Sequence, residues 1–169
     1  MIIIVFGLAA AGKTYVGKFL NKHYGFHHED GDHWLSTDMQ QYVHEKKLFT
    51  MDMLEDFTVN MIANIEKLKE NHNYLVITQA LYRKKNRDTI KSYFESKNEK
   101  VIFLQVEADD EVIYKRLVDR GDWVFPEYAA SMRQFFESME TAQVIYNNED
   151  GEENISKQIK ALELIIESA

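Results

Sequence analysis

Gly7-Leu8-Ala9-Ala10-Ala11-Gly12-Lys13-Thr14 follows directly on the apolar run Ile2-Ile3-Ile4-Val5-Phe6. Its order of Gly, four residues, Gly, Lys and Thr fits the phosphate-binding loop pattern. Two glycines let the backbone turn tightly, so that successive N–H groups converge on one concavity suited to a phosphate chain. A helix after the loop adds the positive end of its dipole. Lys13 has the reach for β- and γ-phosphates, and the Thr14 hydroxyl suits a bound Mg²⁺. With glycine at about 7% of average usage, the four fixed positions recur by chance in on the order of one percent of chains this long. Context narrows the reading further, because Tyr15-Val16-Gly17-Lys18-Phe19-Leu20 continues with helical spacing.

The apolar opening, with Ala9-Ala10-Ala11, has a competing reading as a secretory signal with a small-residue cleavage site. Such a signal needs basic residues ahead of its apolar core, and none precedes Ile2 apart from the amino terminus. The expectation is instead the central strand of a parallel sheet, buried on both faces, in a cytoplasmic protein. The absence of cysteine fits that compartment.

The 169 residues suit one domain over 1–169, and 45% hydrophobic content is enough for a substantial core. A formal net charge of −8 argues against nucleic acid or an anionic membrane as the main partner. No apolar run approaches the roughly 18 residues of a membrane span. One proline and seven glycines leave no evident linker, and no internal repeat stands out.

Strand-like apolar runs alternate with longer amphipathic ones. Phe26 to Glu29 reads as a short strand ending at Asp30-Gly31-Asp32, followed by helical character from His33 to about Glu45 and from Met51 to about Glu70. Tyr74 to Thr78 and Val101 to Val106 read as buried strands, with a basic helix from Arg83 to Phe94 between them. Asp109 or Asp110 suits the cap of a helix carrying Val112, Ile113, Leu117 and Val118. The pattern breaks at Gly121-Asp122-Trp123 and Pro126, which predicts a loop. Helix is expected again from about Glu127 to Glu140, then a strand Gln143 to Tyr146. A final helix follows with Ile155, Ile159, Leu162, Ile165 and Ile166 on one side. This order predicts an α/β fold in which a parallel five-stranded sheet is covered by helices on both faces. Ligands of such sheets bind beyond the carboxyl ends of the strands.

Three further groups fall at that edge. Alternation along an extended segment sets Asp30 and Asp32 on one side, with Gly31 leaving room for a ligand. One carboxylate then suits Mg²⁺ and the other a substrate hydroxyl proton. The competing reading is an acidic turn with Asp32 as helix cap. Arg83, Lys84, Lys85 and Arg87 form either a solvated helix face or a site for an anionic or polyhydroxyl substrate. Arg116 and Arg120, one helical turn apart, suit a nucleotide base or a transferring phosphate beneath a closing loop. The alternative for them is the ordinary preference of arginine for a helix C-terminus. The six histidines show no zinc spacing.

This order of features resembles the P-loop small-molecule kinases of the adenylate-kinase type, above all the gluconate kinase family, with shikimate kinases next. The resemblance is carried by Gly7 to Thr14, by Asp30-Gly31-Asp32, and by Ala80-Leu81 through Arg87-Asp88 to Arg116-Leu117 and Arg120. Gln134-Phe135 matches a further family pair. The sequence departs from the family at Leu48 to Leu54, which lacks the arginine and prolines expected there, and at Gln79, which stands where the family has serine. The nucleotide half matches better than the acceptor half.

The resemblance implies a single-domain, three-layer P-loop fold with a small lid over about 120–128. It implies a monomeric or homodimeric enzyme using ATP and Mg²⁺ to phosphorylate a hydroxyl of a small metabolite such as gluconate or shikimate. Gly7, Leu8, Ala9, Ala10, Ala11, Gly12, Lys13 and Thr14 are expected to hold the phosphates, with Arg116 and Arg120 closing over the nucleotide. Lys13 and Arg120 are expected to stabilise the transferring group, and Thr14 and Asp30 to organise Mg²⁺. Asp32 is expected to orient and deprotonate the acceptor, with Arg83 and Arg87 contacting it. Two alternatives stay open: a nucleoside or nucleotide kinase, and a non-catalytic nucleotide-binding module. Against a GTPase switch, neither an Asn-Lys-x-Asp nor an Asp-x-x-Gly segment is present.

Overall fold

A computed structural model of the chain describes residues 1–120, 126–149 and 151–161, with Arg120 described by its backbone alone. The strands are β1 (Ile2–Gly7), β2 (His27–Asp30), β3 (Leu75–Gln79), β4 (Val101–Glu107) and β5 (Gln143–Tyr146). They form one sheet in the order β2-β3-β1-β4-β5. Every pairing is parallel, and β1 at the centre pairs with both β3 and β4. The helices are α1 (Lys13–Tyr24), α2 (Thr37–His44), α3 (Met51–Lys69), α4 (Lys84–Glu95), α5 (Asp110–Arg120), α6 (Pro126–Arg133) and α7 (Glu152–Ala161). Among the described residues no helix is long and apolar enough to cross a membrane.

The period-two alternation of β1 divides the core. Ile3 and Val5 pack on one face with Val16 and Leu20 of α1, Ile113 and Leu117 of α5 and Ile159 of α7. Ile2, Ile4 and Phe6 pack on the other with Met61 and Ile65 of α3 and Ile90 and Phe94 of α4. A strand buried on both sides needs apolar residues at every position, which is why residues 2–6 show no polar alternation. A third cluster of Val43, Leu54, Tyr82, Tyr128 and Met132 lies among α2, α3 and α6.

Two expected helices differ. The His33-to-Glu45 segment splits into a 3₁₀ turn, Gly31–Trp34, and α2, whose cap is Ser36 accepting from the Met39 N–H at 3.2 Å. Leu35, extended between them, turns inward to the core. The helix expected over Glu127 to Glu140 ends at Arg133. The chain leaves it so that Phe136 stacks on Phe6, with ring centroids 6.1 Å apart. Glu137 then donates its N–H to the Tyr82 carbonyl at 2.9 Å, and its carboxylate accepts from the Lys84 N–H at 2.6 Å. Arg83 at the N-cap of α4 makes no capping bond of its own, so Glu137 caps that helix from a distant segment. Gly121 to Phe125, the heart of the expected lid, lies outside the described residues, as do Leu162, Ile165 and Ile166. Residues 126–128 of the expected lid form the start of α6.

Candidate active site

The loop between β1 and α1 is fixed at both glycines. Gly7 has φ +150°, and a Cβ there would stand 2.3 Å from the Val106 carbonyl oxygen. Gly12 has φ +105°, and its Cβ would stand 1.8 Å from Asn147 Nδ2. Each position therefore excludes a side chain by backbone conformation and by space. Ala10, with φ +59°, completes the turn that brings loop N–H groups round the N-terminus of α1. Lys13 Nζ donates to the Leu8 carbonyl at 2.8 Å, folding back across the loop.

Facing the loop, Thr14 Oγ1 donates to Asp30 Oδ2 at 3.1 Å. Asp30 Oδ1 accepts from the Asp32 N–H at 3.1 Å and so caps the 3₁₀ turn. Asp30 is the cap of that acidic turn, where the sequence offered Asp32. The strand ends at Asp30, so the turn and not strand alternation brings Asp32 to the same cavity. Asp32 Oδ1 accepts from Gln79 Nε2 at 3.0 Å, linking the ends of β2 and β3.

Lys13, Thr14, Asp30, Asp32 and Gln79 line one cavity of about 130 Å³ at the carboxyl ends of the strands. Asp32 is open to solvent through the mouth, yet protein surrounds much of it. Partial desolvation first, then the neighbouring Asp30 charge, raise its pKa above the usual carboxylate range, against the pull of Lys13. A second, wider cleft of about 670 Å³ shares Lys13, Thr14 and Asp30 and runs past Tyr15 and Lys18 to Arg116, Asn147 and Gly151. The loop thus lies between two spaces, one on either side of Lys13.

A family model described as an AAA domain matches residues 3–124. The chain belongs to that AAA domain family. Its fold is that of P-loop kinases. A sugar kinase from Janibacter sp. HTCC2649 superposes with TM-score 0.81 at 17% identity, over 96% of this chain and 94% of that one. A gluconokinase from Sinorhizobium meliloti 1021 superposes with TM-score 0.79 at 17% identity, over 98% and 93%. Among curated proteins no sequence matches.

The AAA domain match takes in the loop, the Asp-Gly-Asp turn and Arg116, and stops short of Asn147. Arg116 Nη1 donates to the Asn147 carbonyl at 2.9 Å and to the Ala11 carbonyl at 3.4 Å, at the border of the wider cleft. The Arg120 side chain lies outside the described residues. Arg83 reaches the smaller cavity, with its guanidinium 4.9 Å from the Phe135 ring and Nη1 3.4 Å from Glu137 Oε1.

Arg87 does not. It is fully buried, donates to the carbonyls of Leu81, Glu137 and Ser138, and lies 4.6 Å from the centre of the Phe6 ring. Burial lowers its pKa to about 10, which leaves it charged at neutral pH. Its expected contact with an acceptor is corrected here: the guanidinium ties the start of α4 to the segment after α6. Sequence spacing alone could not separate the two roles, because Arg83 and Arg87 are one helical turn apart. The sequence reading also passed over Asn147 and Tyr128. Asn147 carried one usable signal, its place just past the last strand at the ligand edge.

Proposed function

We propose that the chain is an ATP-dependent kinase that transfers the γ-phosphoryl group to a hydroxyl of a small metabolite. The observation that carries this reading is the convergence of Lys13, Thr14, Asp30 and Asp32 on one cavity beside the loop between β1 and α1. The wider cleft beside Arg116 suits the nucleotide, and the smaller cavity suits the acceptor.

Asp32, held by Gln79, orients the acceptor O–H and takes its proton as the oxygen attacks the γ-phosphorus. The new O–P bond forms as the bond to the β–γ bridging oxygen breaks, and ADP departs with that electron pair. Loop N–H groups and Lys13 balance charge on the transferring group, so catalysis is mainly positioning and electrostatics. Thr14 Oγ1 and Asp30 Oδ2, 3.1 Å apart, form a hard-oxygen pair that fits Mg²⁺, an ion commonly held by one or two protein oxygens with phosphates and water. When bound, Mg²⁺ would neutralise phosphate charge.

ADP release that depends on an added acceptor, measured with the wild type and with Lys13→Ala and Asp32→Asn, tests the reading. It fails if both variants keep wild-type turnover. The two structural neighbours are named for sugar substrates, which makes gluconate and related polyols the first acceptors to assay.

A further inference from the structure

Among the described residues three buried side-chain atoms lack a hydrogen-bond partner: Arg83 Nε, Arg87 Nε and Tyr128 Oη. Arg87 is the buried tie between α4 and the segment after α6, and it lines neither cleft. Arg83 and Tyr128 both line the smaller cavity.

Both side chains are held by contacts that leave these two atoms unused. Arg83 Nη1 lies 3.4 Å from Glu137 Oε1, and its guanidinium lies 4.9 Å from the centre of the Phe135 ring and 5.9 Å from that of Tyr82. Tyr128, 2% exposed, packs with Val43, Leu54, Tyr82 and Met132. Side chains fixed in this way lose little rotamer freedom when a ligand arrives, so donors on them discriminate well.

A buried donor without a partner costs free energy that an oxygen of a bound molecule recovers. The N–H at Arg83 Nε can only donate. Burial first, then Tyr82 and Asp32, raise the pKa of Tyr128, so its hydroxyl stays protonated and serves as a donor. The lining therefore offers two unspent donors from separate elements, the segment after β3 and the first turn of α6, beside the accepting carboxylate of Asp32.

Resting on the kinase reading, we propose that Tyr128 and Arg83 determine acceptor specificity: each donates to an oxygen of the acceptor while the hydroxyl to be phosphorylated faces Asp32. The acceptor is thus a multiply oxygenated compound, with accepting atoms at two points away from its reacting hydroxyl. The oxygen at Arg83 belongs to a carboxylate, a second hydroxyl or a ring carbonyl. An analogue without these atoms leaves the donors unpaired again, and such a site rejects it.

Calorimetric binding to the full chain, with a non-hydrolysable ATP analogue present, tests the pair apart from turnover. The probes are gluconate and sorbitol, which carry hydroxyls with and without a carboxylate, and uridine, which brings base carbonyls. At least one probe is expected to bind, and Tyr128→Phe and Arg83→Lys each to weaken it about tenfold. Because the donors serve different oxygens, the double variant should lose about a hundredfold. An Arg83→Lys effect confined to gluconate would assign that oxygen to a carboxylate, and one shared with sorbitol or confined to uridine would assign it to a hydroxyl or a carbonyl. In ADP release, Tyr128→Phe should raise the acceptor KM with kcat retained. The ligand-free Tyr128→Phe protein sheds an unpartnered hydroxyl, so it should unfold about 2–4 °C higher than wild type. A hydroxyl with a merely structural role would lower that temperature. Absence of any probe that both variants weaken, or a lower unfolding temperature in Tyr128→Phe, would overturn the proposal. ADP release driven by a probe whose KM neither variant changes would overturn it while leaving the kinase reading intact. Binding that both variants weaken, with no ADP release from any probe, would count against the kinase reading instead.

Discussion

Asn147 Nδ2 donates to the carbonyl of Ala11 at 2.9 Å, joining residues 136 apart in the sequence. The same asparagine accepts from Arg116 at its own carbonyl and holds its N–H against the Glu107 carbonyl at 2.8 Å. It is buried, and it occupies the space a Cβ on Gly12 would need. The shape of the phosphate loop is thus set partly by a residue beyond the fifth strand.

Asn147→Ala removes that clamp. Loss of a buried hydrogen bond costs about 1–3 kcal/mol. Because Ala11 belongs to the loop, much of the loss is expected in nucleotide affinity. ATP affinity measured calorimetrically should fall about tenfold or more, with a smaller change in acceptor KM.

Lys13→Ala removes the cation between the two spaces. Removing a preorganised electrostatic contact of this kind lowers kcat by about 10²–10³. The ADP-release rate should show that loss, while circular dichroism should show the fold retained.

Asp32→Asn is expected to lower kcat by about 10²–10⁴, the usual contribution of a general base. Its effect on stability has the opposite sign. The folded pKa of Asp32 is raised, so between the unfolded carboxyl pKa and that raised value the folded state binds more protons. Stability of the wild type therefore falls as pH rises through that window. The variant should unfold at a higher temperature than wild type near pH 7. The difference should vanish below the unfolded pKa, where both side chains are neutral.

Arg87→Ala separates structure from substrate binding. It abandons three carbonyls and opens a void beside Phe6, at a cost of about 3 kcal/mol. Thermal unfolding should drop by about 6–12 °C for a chain this size. Where the variant stays folded, the acceptor KM should hold; a selective rise in that KM would return Arg87 to the substrate.

The fold was legible because its signals are local. Residues 2–6 are apolar without alternation, Gly7 to Thr14 carry a spaced motif, and the later strands are short apolar runs between turns. Asp30 and Asp32 were legible for a related reason, since two residues of one turn cannot be far apart. The chemistry of the smaller cavity was not. Its walls come from Met39, Phe57, Leu81 and Tyr128 on separate elements, each of which reads in isolation as ordinary core. Arg87 misled because a basic residue at the ligand edge of a sheet carries no mark that tells a buried tie from a substrate contact. The helix expected to Glu140 failed for a tertiary reason, the demand of Phe6 for Phe136 and of α4 for Glu137.

Leu35, Met39, Phe57 and Leu81 line the smaller cavity and also belong to the core beneath β1. The pocket has no separate upholstery: its floor is the building's own masonry. Recutting it for a different guest would loosen the house, so variants with altered taste should emerge fragile and need repairs elsewhere before they persist.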